Sequence, residues 1–476
     1  MKCVAVLGGG VGGLSAAFYL SQSSQVSKVV LLEASSRFGG WVSSTQREDG
    51  AVFEHGPRGV RPAGAVGRNS LNMVSDLGLE SEILPVPADH VASRNRFLYV
   101  RGQLHKMPSG LSGAVRTVPP FSRPIMPSVM KEVLVRRRKH EDESIHSFFS
   151  RRLSPELADI AVDSLCRGVF AGDSKRLSVR SCFPPLYRAE QQWGSIVLGM
   201  LMGTEKSGTV GTSALAQRAK RESWSQWSLK RGMQTLPDAL AETLKGRERV
   251  EIHQSAPVRS LNHTAGGWEI KLEDEVTLRA DHVISALPAS VLASLLPPAA
   301  HILSEQLCKV GTASVGMVNL EFEGSVLPVM GFGHLVPSSE DRGILGVVYD
   351  SLAYPQHNRR GDLTTRLTVM MGGAWFEETF GLPAEVKDTV LMDRAVKALR
   401  SHLGITASPV WSKAAVLQNC IPQYHLGHWK RLETMRRYIS DHALPLTLAG
   451  ASYDGVSVND VIFSGRTAAE GIVGKI

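Results

Sequence analysis

Several features that would assign a protein to a familiar class are absent from this sequence of 476 residues. No uncharged apolar run reaches the 18 or so residues that a membrane-spanning helix requires. The sequence also has no H-E-x-x-H, no Walker loop and no G-x-S-x-G. These absences argue against the metalloprotease, P-loop and serine-hydrolase sites that such motifs build.

Cysteine is scarce, odd in number and scattered. The five cysteines form no C-x-x-C pair and no cluster with metal-ligand spacing: Cys3, Cys166, Cys182, Cys308 and Cys420. This distribution does not suit a disulfide framework or a structural metal site. We therefore predict reduced, buried thiols and no bound metal.

Positive charge is concentrated in one stretch of a chain whose net charge is +8. Residues 94–139 contain eleven Lys or Arg against one acid, Glu132, and end in the basic run 136–139. Apolar and Pro residues that we expect to be exposed are interleaved with these charges: Leu111, Val115, 118–121 and 124–127. The mixture suits an anionic membrane surface, although a solvated basic face without a partner fits the charge equally well. No nucleic-acid-binding motif accompanies the stretch, so we expect no nucleic-acid partner.

A glycine-rich turn directly follows the apolar run V-A-V-L at residues 4–7. The turn comprises Gly8, Gly9, Gly10, Val11, Gly12 and Gly13. This G-x-G-x-x-G pattern lets backbone N–H groups approach a pyrophosphate at a helix N-terminus. A second apolar run ends at Glu33, twenty residues after Gly13, where dinucleotide folds place the acid that binds the ribose hydroxyls. The spacing predicts a dinucleotide-binding β-α-β unit, and it leads us to expect no cleaved presequence.

The chain is too long for one hydrophobic core, so more than one domain is expected. We predict an α/β fold, α+β overall, with a Rossmann-like discontinuous nucleotide-binding domain formed by residues 1–90, 215–300 and 430–476. The buried run at 281–286 would return the chain to the first sheet. Residues 301–429 are predicted to form an antiparallel-sheet substrate domain, and 91–214 a helical insert that is associated with a membrane and with substrate.

Three further motifs resemble the flavin amine oxidase superfamily. They are E-x-x-x-R-x-G-G at 33–40, G-P-R-G at 56–59, and L-T-L-A-G-A-S at 446–452 followed by V-S-V-N-D at 456–460. The resemblance implies one non-covalent FAD held by both ends of the chain. It assigns to FAD the six residues of the glycine turn and Glu33, Ala34, Arg37, Gly40, Trp41, Gly56, Pro57, Arg58, Gly59, Val258, Ala451, Val456, Ser457 and Val458. It also implies that the last helix points its positive N-terminus at the flavin, and that Arg58 tunes the flavin's charge.

Four strings narrow the resemblance to the porphyrinogen-oxidising branch of the superfamily in animal mitochondria. They are N-R-F-L-Y at 95–99, L-C-R-G-V-F-A-G at 165–172, F-G-H-L-V-P at 332–337 and C-I-P-Q-Y at 420–424. The resemblance implies a flat, reduced tetrapyrrole with two propionates, oxidised during haem biosynthesis in three two-electron steps that convert O2 to H2O2. It assigns Arg96 to a propionate and assigns Phe332, Gly333, Leu335 and Met370 to the macrocycle. We expect no catalytic acid or base from the protein, because the cofactor carries the chemistry.

Two alternatives remain open. One is a flavin oxidase of amines or carotenoids, although the run at 314–320 lacks the Lys of amine oxidases and a carotene site would not need Arg96. The other is a non-enzymatic binding protein of the Rab-escort or GDP-dissociation-inhibitor type, which shares the fold without flavin. Retention of the FAD motifs argues against it. Cys420 is the only late Cys that could bond FAD, and we expect it to be a buried thiol instead.

The resemblance also implies a location and partners. The location is the mitochondrial inner membrane, on the side of the intermembrane space, with peripheral or monotopic attachment through residues 91 to about 210. The implied partners are the tetrapyrrole, O2 and an anionic membrane surface. A homodimer and contact with the next enzyme of haem synthesis are left open.

Overall fold

The computed structural model describes residues 2–138, 141–203 and 211–474. Its strands are β1 (Lys2–Leu7), β2 (Val26–Leu32), β3 (Ser44–Gln46), β4 (Val52–Glu54), β5 (Ile83–Pro87), β6 (Phe97–Val100), β7 (Gln103–Lys106), β8 (Trp224–Leu229), β9 (Val250–His253), β10 (Val258–Thr264), β11 (Gly267–Leu272), β12 (Thr277–Ala280), β13 (His282–Ser285), β14 (Gly311–Glu323), β15 (Gly333–Leu335), β16 (Ile344–Val348), β17 (Thr364–Gly373), β18 (Trp411–Gln423) and β19 (Leu446–Leu448).

The helices lie between these strands and in the segment from 110 to 221. They are α1 (Val11–Leu20), α2 (Gly64–Asp76), α3 (Val91–Arg94), α4 (Gly110–Val115), α5 (Met126–Glu132), α6 (Ile145–Arg152), α7 (Pro155–Leu157), α8 (Asp163–Phe170), α9 (Val179–Cys182), α10 (Pro184–Trp193), α11 (Ile196–Met202), α12 (Ala214–Arg221), α13 (Thr235–Lys245), α14 (Ala289–Leu295), α15 (His301–Cys308), α16 (Asp350–Ala353), α17 (Phe376–Phe380), α18 (Asp388–Leu403), α19 (His428–Asp441) and α20 (Val458–Val473). A π-helical turn, Ala158–Val162, separates α7 from α8.

A parallel sheet with the order β19-β13-β1-β2-β9 forms the nucleotide-binding unit. Its strands come from the start, the middle and the end of the chain, and the predicted return at 281–286 is confirmed because β13 pairs with β1 in parallel. Helices α1, α13 and α20 pack together on one face, and the other face is covered by the β10–β12 sheet and α14. Burial on both faces explains why these strands are apolar along their length. The predicted fold class is confirmed.

A second sheet has the order β18-β14-β17-β16-β15-β6-β7 and is antiparallel except between β15 and β6. Strands β14, β16 and β17 pair antiparallel within residues 301–429, where an antiparallel sheet is predicted. Helix α18 packs against one face through an apolar cluster. Strands β6 and β7 lie inside the predicted helical insert and nevertheless join this sheet. The other predicted domain boundaries stay predictions.

The apolar side chains that the helical insert (α4–α11) exposes differ from those predicted. Phe121, expected to be exposed, is 4% exposed and packs with Leu98 and Leu157, so that expectation was wrong. Val115, on α4, is 52% exposed as expected, and the most exposed apolar side chains of the insert lie on or just after α5 and on α11. The Leu111 side chain and Lys139 lie outside the described residues. Within the described ranges, every helix is too short or too polar to cross a bilayer.

Candidate functional site

The glycine turn brings α1 unusually close to the end of β1. Gly8 has φ +97°, and a Cβ at Gly13 would lie 1.8 Å from the Gly8 carbonyl oxygen, so only glycine fits at Gly13. At Gly10 an added Cβ would meet only Gly40, at 3.9 Å. The first N–H groups of α1 have no acceptor within their own helix. The space beside Gly10 and this helix end therefore form an open cradle suited to a pyrophosphate.

Glu33 is held at the end of β2 beside this turn. Its carboxylate accepts hydrogen bonds from the Gly9 N–H at 2.6 Å and the Ser35 N–H at 2.8 Å. The Ser35 hydroxyl donates to it as well, at 2.7 Å, and since a carboxylate has about four acceptor positions, one is left for a ribose hydroxyl. The chain before β10 runs alongside, because the Ala256 N–H donates to the Glu33 carbonyl at 2.9 Å. This contact brings Val258, the first residue of β10, towards the same site.

Arg37 orders the loop that follows. Its guanidinium donates to the backbone carbonyls of Phe38 and Val42 at 3.1 and 3.2 Å and also to that of Gly40. The Arg37 side chain thus holds the backbone of the loop at residues 37–42 in place. Ala34 and Gly40 are exposed, and Trp41 is 44% exposed.

The G-P-R-G loop lies directly against this first loop. A Cβ at Gly56 would be 2.0 Å from the Trp41 carbonyl oxygen, and a Cβ at Gly59 would be 2.6 Å from the Tyr354 hydroxyl. Pro57, between them, is only partly buried. The two predicted FAD loops are therefore adjacent.

The N-terminus of the last helix lies beside the G-P-R-G loop. The Ser457 side chain accepts from the Asp460 N–H, and the Asp460 carboxylate accepts from the Ser457 N–H, which forms a capping box at the start of α20. The Asn459 amide donates to the Arg61 carbonyl at 2.7 Å, just beyond the G-P-R-G loop. Residues Ala451, Val456 and Val458 lie in or next to the turn before this helix and are partly buried.

Arg58 is buried and points towards the second sheet. Its Nη1 donates to Asp350 Oδ1 at 2.7 Å, and Asp350 Oδ2 accepts from the Thr368 hydroxyl at 2.6 Å. Its Nη2 is buried without a hydrogen-bond partner in the parts of the chain that the structure describes. Nearby, burial raises the pKa of Glu54 to about 7. An unsatisfied donor beside the two loops fits an acceptor-rich ligand such as an isoalloxazine.

The predicted macrocycle residues Leu335 and Met370 lie on one face of the second sheet. In register, Leu335 is opposite Gly346, and Gly346 is opposite Met370, so the two side chains flank a residue without a side chain. Thr368 lies two residues from Met370 on the same strand and therefore on the same face. This face thus joins the buried Arg58 contact to an apolar surface. Gly333 lies close to the next strand, since an added Cβ would be 2.3 Å from the Val347 carbonyl oxygen.

Phe332 and Arg96 lie at the edge of this sheet. Phe332 packs against the apolar cluster of Leu84, Val86 and Tyr354, and its N–H donates to the Asn95 carbonyl at 2.9 Å. Phe332 is thereby placed close to the backbone of Arg96. It lies in a different apolar cluster from Leu335 and from Met370.

Sequence reasoning missed the polar groups that hold Arg58. Asp350 and Thr368 are nearly 300 residues or more away from it in the chain, and no local motif marks them. Sequence reasoning also missed Lys413, on β18. The register of the sheet places it opposite Asn319 of β14, the strand that lacks the Lys of amine oxidases. The Nζ of Lys413 lies 3.4 Å from His55 Nε2. Cys420 is buried, and burial raises the pKa of its thiol to about 12.

Comparison with known proteins gives the family. Residues 11–473 match the flavin containing amine oxidoreductases, and the chain belongs to this family. Protoporphyrinogen oxidase from Bos taurus is 51% identical over 475 residues, covering 99% of this chain and 98% of the relative. Coproporphyrinogen III oxidase from Bacillus subtilis is 28% identical over 98% of this chain and 97% of its own length. A crystal structure from Exiguobacterium sp. 255-15 has a TM-score of 0.79 at 24% identity and covers 99% of this chain and 98% of its own, which supports the fold. The predicted FAD cofactor is confirmed.

Proposed function

We propose that this chain oxidises protoporphyrinogen to protoporphyrin with one non-covalent FAD. The observation that carries the proposal is the single sheet face on which Leu335 and Met370 flank Gly346 next to the Arg58 contact. An apolar slot beside a flavin loop suits a large, flat macrocycle. The near-complete match to a protoporphyrinogen oxidase supports this choice over amines or carotenoids.

The residues of the chain have positioning roles in this proposal. Leu335 and Met370 hold the macrocycle flat, and the exposed Arg96 guanidinium binds one propionate. The N-terminus of α20 and the free Nη2 of Arg58 favour negative charge at the flavin. Bound FAD supplies the hydride acceptor. In total, three O2 become three H2O2 while the porphyrinogen loses six hydrogens.

The test is anaerobic mixing of purified holoprotein with protoporphyrinogen, followed by admission of air. We expect flavin absorbance to fall and then recover while porphyrin fluorescence and peroxide appear. Met370→Ala should raise KM without loss of flavin, whereas Met392→Ala, at a half-buried Met of α18 on the other side of the sheet, should leave KM unchanged. A colourless protein, or flavin reduced by amines and not by the porphyrinogen, would contradict the proposal.

We also propose that the insert binds an anionic membrane. Helices α5 and α11 are in contact, and both present apolar side chains outward: Leu134 just after α5 is 83% exposed, and Met200 and Leu201 on α11 are 70% and 77% exposed. Exposed Lys131 and Arg136 adjoin this patch. Apolar anchors ringed by cations suit the interface of anionic lipids. The proposed compartment is the inner mitochondrial membrane, on the side of the intermembrane space.

Vesicle sedimentation tests this surface. The double change Leu134→Glu and Leu201→Glu should release the protein from vesicles containing anionic lipid, and reversal of Arg136, Arg137 and Arg138 to Glu should do the same. Leu363→Glu, an equally exposed Leu in a loop outside the insert, is the matched control. Retention of the double variant on vesicles would refute the α5–α11 surface.

A further inference from the structure

Two arginine side chains at one edge of the second sheet lack a negatively charged partner. Arg61 follows the G-P-R-G loop, and Arg96 precedes β6. Both are exposed to solvent, and neither side chain forms a hydrogen bond or ion pair with any residue that the structure describes. Most other arginines near this site are paired, as Arg58 is with Asp350.

Strand β8 brings the two arginines to the same place. Val60, next to Arg61, exchanges two backbone hydrogen bonds of 2.9 Å with Trp227. Two residues earlier on that strand, the Ser225 hydroxyl hydrogen-bonds the Ser93 hydroxyl at 2.6 Å, three residues before Arg96. Residues two apart on a strand share a face. The segments that carry Arg61 and Arg96 are therefore fixed side by side along one strand.

Their charges interact unfavourably while no anion is present. Partial burial and the nearby charge of Arg61 both lower the pKa of Arg96. Two guanidinium groups held together by their backbones gain from an anion that neutralises both, and carboxylates match the guanidinium fork.

We propose that Arg61 is a second substrate-binding residue, which with Arg96 forms a clamp for the two propionates of the tetrapyrrole. This inference rests on the proposed function and extends it to the part of the substrate that does not react. The clamp would orient the macrocycle in its slot and would select dicarboxylates over esters.

The position of Arg61 makes a clean test possible. The backbone of Arg61 is anchored by the hydrogen bonds of the neighbouring Val60 and by the Asn459 amide, which donates to the Arg61 carbonyl. Its side chain forms no hydrogen bond or ion pair with a residue that the structure describes. Truncation should therefore leave the fold and the FAD content intact. Arg279→Met is the matched control, because Arg279 is an exposed arginine on β12, in a separate three-stranded sheet.

The experiment titrates oxidised holoprotein with protoporphyrin IX and with its dimethyl ester, followed by porphyrin fluorescence. We expect Arg61→Met to weaken binding of the diacid by about tenfold or more, the worth of a charged hydrogen bond, and to leave binding of the ester within about twofold. In turnover, KM should rise more than kcat falls. Arg61→Lys should restore part of the affinity.

Three outcomes would overturn the inference. The first is an Arg61→Met variant that binds the diacid as tightly as the unchanged protein does. The second is a variant that loses diacid and ester equally, and the third is an unchanged holoprotein that binds no porphyrin. The proposed function is removed separately, if the unchanged protein does not oxidise protoporphyrinogen. Turnover by the unchanged protein together with an unaffected Arg61→Met variant would refute the clamp alone.

Discussion

The nucleotide-binding unit and the helical insert hold their helices in place by different interactions. Every residue of α1 is buried, and α1 meets β1 and α20 through glycine and apolar side chains. A Cβ at Gly465 of α20 would lie 2.4 Å from the Gly12 carbonyl oxygen. Steric fit therefore determines whether α1 can pack in this unit, because closely packed surfaces tolerate no added atoms.

The insert combines an apolar cluster around Phe148 and Phe170 with a network of buried charges. Arg152, on α6, is fully buried and binds Glu132 of α5 at 2.8 Å and Glu190 of α10. Arg151 adds a second ion pair to Glu190. Glu132 also accepts from the Ile196 N–H at 2.8 Å, at the start of α11. One ionic network thus links α5, α6, α10 and α11. The difference teaches that α5 and α11 are joined to the insert through buried charges in addition to its apolar cluster, while several of their apolar side chains face outward.

The largest expected effect comes from adding one methyl group to the nucleotide-binding unit. Gly13→Ala places a carbon where only 1.8 Å is available, so α1 cannot seat on β1. We expect loss of bound flavin and of soluble protein. Gly471→Ala, also in a helix but with open space around it, should be neutral or stabilise by up to about 1 kcal/mol. A soluble, yellow Gly13→Ala protein would show that shape is not decisive there.

The second largest effect is expected from breaking the ionic network of the insert. Arg152→Met leaves Glu132 and Glu190 buried with reduced compensation, and removal of one partner of a buried pair typically costs about 3–5 kcal/mol. Arg279→Met, which removes an exposed ion pair with Glu269, should cost about 1 kcal/mol or less. Denaturant unfolding of both variants measures the contrast. Equal losses of unfolding free energy in the two variants would mean that the buried charges do not stabilise the insert.

The same contrast explains what could be predicted from the sequence. The nucleotide-binding unit was predictable because its constraints are local: Gly8, Gly13 and Glu33 have a spacing that the turn itself requires. The role of Arg37 was predictable only in part, since its guanidinium binds loop carbonyls, and no pattern shows where a side chain turns.

The insert was harder to predict. Glu132, Arg152 and Glu190 are separated by 20 residues or more, and a buried ion pair leaves no periodic signal. For the same reason, the basic and apolar stretch did not reveal that Phe121 is buried while Leu201, outside the stretch, is exposed. Strand β18 was missed because its sequence lacks clear alternation.

Acid should weaken the two regions in different pH ranges. Burial and the charge of Lys2 lower the pKa of His282, on β13, to about 4. Between pH 6.5 and 4 the unfolded chain therefore binds a proton that the folded sheet does not, and stability falls as the pH falls, by about 3 kcal/mol at most. Burial would raise the pKa of Glu190, but Arg151 and Arg152 outweigh it and lower that pKa, so its contribution is lost only below its ordinary value of 4.5.

Hydrogen exchange at pH 7 and pH 5 resolves the two ranges. We expect faster exchange at pH 5, after correction for the intrinsic rate, in peptides of β13 and not in peptides of α6 and α10. His282→Asn should make the dependence of Tm on pH between 6.5 and 4 less steep by one histidine's contribution, because burial also lowers the pKa of His55, His357, His402 and His428 to about 4. Loss of protection at pH 5 in α6 and α10, with β13 still protected, would contradict the prediction.

The smallest effects come from two helix caps that differ only in what surrounds them. Ser457 caps α20 at an exposed position, so Ser457→Ala should cost about 1 kcal/mol. Ser195 also accepts from the N–H three residues on, but its hydroxyl donates to the fully buried carboxylate of Glu132 at 2.5 Å, whereas that of Ser457 donates to the less buried Asp460. Ser195→Ala therefore removes a cap and a charged hydrogen bond together and should cost about 1–3 kcal/mol more. Thermal unfolding of both variants measures the gap, and equal losses would indicate that the Glu132 carboxylate is satisfied without Ser195.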